Sequence, residues 1–204
     1  MTREIRKRRK EARPAEIVEA ARVEFVDKGF SAARIDDIAA RAGISKGLVY
    51  AYFPGKEALF EAVIRSTVLP VIEGAAALIA ADTQTPAAVQ LRMVVTTLYA
   101  QLVNTDRRRL LHMVIAEGPR FPEMARFYHA EIISKGRGML RTLLERGVTR
   151  GEFRASALSD YPEIVIAPAL VAAVWKLLFE PYEPMDSAAF AEAHLEAMLR
   201  ALVA

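Results

Sequence analysis

The chain has 204 residues and no cysteine, which excludes a disulfide framework, thiolate metal sites and a cysteine nucleophile. Its hydrophobic fraction of 53% is that of a core-forming globular protein and excludes a disordered chain. Net charge is only +3, yet residues 1–60 carry thirteen Lys/Arg against nine Asp/Glu, while residues 61–204 carry fifteen against sixteen.

Taken from the N-terminus, Arg3, Arg6, Lys7, Arg8, Arg9, Lys10 and Arg13 face only Glu4 and Glu11. Such an arm (1–13) ahead of a helical domain points to phosphates as partner, the alternative being a solvated tail. Counterion release lets it add DNA affinity without sequence choice. No apolar run follows it, so it does not read as a signal peptide. The apolar stretch Ile164–Trp175 falls far short of the ~20 residues needed to span a bilayer. The expectation is a soluble cytoplasmic protein without a membrane partner.

Helical periodicity dominates, with no run of strand alternation. Pro14 suits a first helical turn, Ile17, Val18, Ala21 and Phe25 repeat on one face, and Gly29 stops that helix. A short helix Ile35–Ala42 ends at Gly43, and Ser45 caps the next one, to about Tyr52. Pro54-Gly55 is a turn, and Lys56 opens a longer helix carrying Leu59, Phe60, Val63 and Ile64. Pro70 should kink or split that segment, and Asp82–Pro86 interrupts the pattern. Further helices are expected over 86–104, 107–116, 122–149, 160–179 and 187–203. The fold class is all-α: a three-helix domain with a helix-turn-helix, plus a larger helical domain.

The segment IDDIAARAGISKGLVYAYFPGKEALF is the most informative. Ala39 is small where a second helix would cross the first, Gly43 allows a positive φ, and Ile35, Ile38, Ile44, Val49 and Phe53 supply a shared core. Ser45, Lys46, Gly47, Leu48, Tyr50 and Tyr52 are left exposed on the second helix, a face able to enter a major groove.

At these residues the sequence resembles the tetracycline-repressor (TetR) family of bacterial regulators. The matching pieces are GFSAARIDDIAARAGISKGLVYAYFPGKEALF and the preceding helix with Ile17, Ala21 and Phe25, over roughly residues 14–64. The resemblance implies a DNA-binding domain (14–60) followed by a helical effector-binding and dimerisation domain (61–204). It also implies that Lys46, Gly47 and Leu48 face bases while Ser45, Tyr50, Tyr52 and Lys56 hold phosphate oxygens. Lys56 further opens a helix whose N-terminal dipole attracts phosphate. Two positions depart from the family. Ala33-Arg34 stands where a pair of Thr or Ser is usual, so Arg34 either offers a longer charged DNA contact or is solvated. Leu48 replaces a small hydroxyl residue and offers apolar contact, as to a thymine methyl.

The C-terminal helices hold Ile164, Ile166, Leu170, Val174, Trp175, Leu177, Leu178, Phe190, Leu195, Leu199 and Leu202. Their apolar faces suit either a two-fold dimer interface through residues 160–203, which the resemblance implies, or burial within one subunit. Met93, Tyr99, Leu102, His112, Met113, Phe127, Tyr128 and Met139 mix thioethers, rings and a few polar handles. That composition lines pockets for small apolar molecules and also ordinary cores. The link EGPRFPE (117–123) resembles a stretch in a subset of TetR-type regulators. His112, His129 and His194 are too scattered to hold a metal. No nucleophile elbow or phosphate loop stands out, so neither an enzyme nor a cofactor is expected. The reading is a regulator, a repressor released from a palindromic DNA operator by a small, largely apolar effector. The alternatives are an architectural DNA-binding protein and an activator of the same fold.

Overall fold

A computed structural model describes residues 2–203, with side chains from Ala12 onward. The basic side chains before Ala12 therefore lie outside the described residues. Among the described residues the chain is all helical, with eleven α-helices and no strand. They divide into two compact units: residues up to Val68 with Met113–Tyr128, and Leu69–His112 with the residues from His129 on.

In the first unit, α1 (Thr2–Ala32) passes through Pro14 instead of starting near it. The neighbouring Ala12–Glu16 are exposed or half-buried, so the proline sits in a stretch of helix that packs no core. The regular path ends at Gly29, whose φ of 78° belongs to the left-handed region that glycine adopts without strain. Ile17, Ala21 and Phe25 of α1 are buried with Phe30, Leu59, Phe60, Val63 and Ile64. Phe30 sits edge-on to Phe60 at 6.0 Å and to Phe121 at 4.8 Å, geometries that ring quadrupoles favour.

Helix α2 (Ile35–Arg41) and α3 (Lys46–Tyr52) follow, then α4 (Lys56–Thr67). Taken as one run, Lys56–Ala81 is long and apolar enough to cross a membrane by length and composition, a property that protein cores share. The run is interrupted at Val68, after which α5 (Leu69–Ala81) begins. Pro70 explains the break: it lacks an N–H, and its ring clashes with the carbonyl one turn back. The hydroxyls of Ser66 and Thr67 donate to the Val63 carbonyl and occupy it just before the break.

In the second unit, α6 (Ala87–Leu98) continues through a π turn, Tyr99–Val103. Helix α7 (Arg107–Glu117) crosses the boundary between units, and α8 (Pro122–Tyr128) belongs to the first. A second π turn, His129–Ile133, leads into α9 (Ser134–Thr149), and α10 (Glu163–Leu178) and α11 (Ser187–Leu202) complete the chain. These spans match the periodic segments of the sequence; the two π turns, each one residue wider than an α turn, carry no sequence signal. The core joins Leu91, Val95, Leu143 and Leu144 to Val165, Ala172 and Leu195.

One face of α10 is buried through its alanines, Ala169, Ala172 and Ala173. The opposite face leaves Ile164, Val171, Val174 and Leu178 exposed at helical spacing. Asp186 caps α11 by accepting the N–H groups of Ala188 and Ala189.

Candidate nucleic-acid interface

The two helices of the reading head are joined by Ala42–Ser45. Gly43 has φ 64°, so a side chain there would be strained, and the Ile44 N–H donates to the Ala39 carbonyl at 3.0 Å. Ser45 then caps α3: its hydroxyl accepts the Leu48 N–H at 3.3 Å. Ile38, Ala39 and Val49 are buried, which locks α3 across α2. Local chain chemistry alone therefore fixes which face of α3 looks outward.

That face carries Lys46, Gly47 and Tyr50, all exposed, with Tyr50 at 48%. Leu48 and Tyr52 are half-buried at its edges, and Ser45 is exposed at its start. Arg34, immediately before α2, projects into solvent with its guanidinium 3.9 Å from Asp36. The Lys46 ammonium lies 3.0 Å from the same carboxylate. Asp36 thus holds two cations beside the face, loosely enough for a phosphate to compete.

Lys56 is placed differently. Its ammonium donates to the carbonyls of Ser31 and Ala33, both at 3.1 Å, and lies 4.7 Å above the Phe30 ring. Burial lowers its pKa, opposed by the nearby Glu57 and Glu117 carboxylates. Its side chain braces the turn between α1 and α2, and the N-terminal amides of α4 lie in the same place.

A second set of contacts has no signature in the local sequence. The buried carboxylate of Glu24 on α1 accepts from Arg41 on α2 at 2.8 Å and lies 2.7 Å from the Lys28 ammonium. Lys28 also donates to Asp37 at 2.8 Å. The hydrogen bond from Lys28 is the main cause of the lowered Glu24 pKa, with Arg41 adding to it and burial opposing. The network ties the first helix of the motif to α1. Glu117 adds another tie, accepting the N–H groups of Phe30 and Ser31.

The eight effector candidates are not gathered into one cavity. Met113, Phe127 and Tyr128 belong to the first unit, and Met93, Tyr99, Leu102, His112 and Met139 to the second. Phe127 packs on Phe60 beneath Arg65, and Met113 and Tyr128 are buried core residues. Tyr99 is buried with its hydroxyl 3.2 Å from His194 Nδ1, and desolvation pushes its pKa up to about 12. His112 is exposed, while Leu102 and Met139 are half-buried. Within the second unit a cleft of about 150 Å³ opens between α5 and α6, lined by Ala75, Leu78, Ile79, Met93 and Val94 together with the polar Asp82, Gln90 and Thr97. Met93 alone of the eight lines it. The cleft residues on α5 were missed because an apolar helix face gives the same pattern whether it covers a core or a groove.

The profile described as "Bacterial regulatory proteins, tetR family" matches residues 17–63, and "Tetracyclin repressor-like, C-terminal domain" matches residues 80–197. The HTH-type transcriptional repressor SCO4008 of Streptomyces coelicolor is 48% identical over 59 residues, 29% of this chain and 31% of that protein. The alignable stretch spans about a third of the length of such curated relatives. A transcriptional regulator from Saccharomonospora viridis, solved in complex with choline, shares the fold with a TM-score of 0.80 at 18% identity, over 96% of this chain and 99% of that one. The regulator FadR from Bacillus subtilis, solved with stearoyl-CoA, does so with a TM-score of 0.72 at 18% identity, over 92% and 98%. By the profile that spans more than half its length, by the helix-turn-helix ahead of it and by the shared fold, the chain belongs to the TetR family and is a DNA-binding transcriptional regulator, not an enzyme.

Proposed function

We propose that the protein is a cytoplasmic, homodimeric repressor released from a palindromic operator by a small, largely apolar effector. The observation that carries this reading is the outward face of α3, where Lys46, Gly47 and Tyr50 are exposed and the Lys46 and Arg34 cations pair with the exposed Asp36. Lys46, Gly47 and Leu48 contact base edges, and Arg34, Ser45, Tyr50 and Tyr52 contact the phosphate backbone. Lys56 contributes chiefly by holding the α1–α2 turn, with its remaining N–H and the α4 amides available to a phosphate. The reading head is residues 14–60, and the arm 1–13 adds phosphate contacts.

Dimerisation uses α10 and α11. The exposed stripe Ile164, Val171, Val174 and Leu178 is the kind of apolar surface that a two-fold partner covers. The effector domain is 61–204. The apolar walls of the α5–α6 cleft, and the choline and stearoyl-CoA carried by the two structural relatives, support a small ligand. Operator half-sites lie about one helical turn (~34 Å) apart, so an effector that changes head separation breaks simultaneous engagement.

Selecting bound duplexes from a random pool tests the reading. A two-fold symmetric site placed upstream of a reporter should give expression that rises when the protein is removed. Falling expression would assign activation instead, and recovery of no preferred sequence would leave an architectural role.

A further inference from the structure

The turn between α1 and α2 is held from both sides of its backbone. On one side, the two oxygens of Glu117 accept the N–H groups of Phe30 and Ser31, each at 2.7 Å. On the other, the Lys56 ammonium donates to the carbonyls of Ser31 and Ala33. Arg120 donates to the Ser31 hydroxyl at 3.3 Å, and Phe121 seats its ring on Phe30. Gly29 makes room: a Cβ there would come 3.0 Å from a Glu117 oxygen. The next residues are Arg34 and α2, which begins with no side-chain cap of its own. The backbone leading into α2 is thus tied to a carboxylate 86 residues further along the chain.

We propose that Glu117 is a positioning residue for operator binding: its carboxylate, closing α7, clamps the backbone from which the reading head departs, and DNA affinity depends on that clamp though Glu117 touches no DNA. The inference rests on the reading of α3 as the base-contacting helix. Two charge-assisted hydrogen bonds to adjacent amides have a geometry that no neutral side chain reproduces, since an amide offers one acceptor and would oppose the second N–H with its own. Such bonds weaken steeply with separation, so any shift of α7 along its axis loosens the turn. This gives the 117–123 link a purpose beyond joining two helices.

The test uses the full chain and a duplex of about 30 base pairs selected from a random pool by the wild-type protein, enough for two half-sites. Glu117→Gln should lower affinity about tenfold. The slope of log K against log salt should stay that of the wild type, because no phosphate contact is lost. Amide exchange should accelerate at Phe30 and Ser31 while the α4 amides keep their protection, and helix content and melting temperature should be retained. Lys46→Ala serves as the control that loses affinity through a contact of α3 itself, with amide exchange at Phe30 and Ser31 unchanged. Wild-type affinity for Glu117→Gln beside a weakened Lys46→Ala would overturn the clamp and leave the α3 reading intact. Affinity loss that tracks a fall in helix content or melting temperature would assign Glu117 to folding alone and also overturn it. Wild-type affinity in Lys46→Ala would instead count against the reading of α3.

Discussion

The ring of Phe153 lies directly on Gly147, so that a Cβ added to this glycine would fall inside contact distance of three ring carbons. The two residues are also joined through backbone, the Phe153 N–H donating to the Gly147 carbonyl at 3.0 Å. Both are buried, in the last turn of α9 and just beyond it. Gly147→Ala should therefore destabilise the protein by about 2 kcal/mol through overpacking. Helix propensity alone would favour alanine by about 1 kcal/mol, so the sign of the change separates the two effects. Urea unfolding decides it: a stabilised variant would mean that the ring can move aside.

Tyr50 and Lys46 lie on the exposed face of α3 and contribute nothing to its core. Tyr50→Ala and Lys46→Ala should each weaken operator binding by about 1–3 kcal/mol while leaving melting and oligomeric state unchanged. Lys46→Ala should also lower the salt slope by about one if it meets a phosphate, and leave it unchanged if it meets a base edge. Unaltered affinity for both variants, in an anisotropy titration at fixed salt, would remove the contact assignment.

Val171 is 56% exposed on the outer face of α10, between Ile164 and Leu178. A carboxylate at this position should cost the unassociated subunit little, because water can reach it. In a two-fold contact it would face its own copy across an apolar surface. Val171→Glu is expected to be monomeric by sedimentation at micromolar concentration, with operator affinity reduced at least a hundredfold as paired half-site engagement is lost. A dimeric Val171→Glu protein would move the interface elsewhere.

Acid should loosen the reading head. The Glu24 carboxyl is held below its ordinary value of 4.5, chiefly by the hydrogen bond from Lys28. The same lysine lowers Asp37 from 3.8. A carboxyl with a depressed folded-state pKa contributes stability that is present above its unfolded value and lost as pH falls through the folded one. Stability should thus decline as pH drops below about 5, and Glu24→Gln should flatten that limb while costing about 1–2 kcal/mol at neutral pH. Parallel pH profiles for the two proteins would show that the pair contributes nothing to acid stability.

The sequence by itself determined the helix-turn-helix. Ala39, Gly43, Ser45 and Val49 act on neighbours within about ten positions, so crossing, turn, cap and core are encoded where they are read. It also determined the extents of the later helices, because period and breakers are local. The split ahead of Pro70 was legible for the same reason, whereas the continuation of α1 through Pro14 was not, since a proline that suits a first turn gives the same local signal when the helix runs on through it.

Only the tertiary structure decided what each apolar face meets. Tyr99, Met113 and Tyr128 have the composition of a ligand lining and are buried in cores, while Leu78 and Met93 border an open cleft. Periodicity gives the orientation of a side chain about its own helix axis but not the identity of the helix opposite. The ties that position the reading head are of that kind: Glu24 with Arg41, and above all Glu117 with Phe30 and Ser31, join residues that no local pattern relates. Their energies come from charge and backbone amides meeting across the fold, so they exist only once the chain has packed.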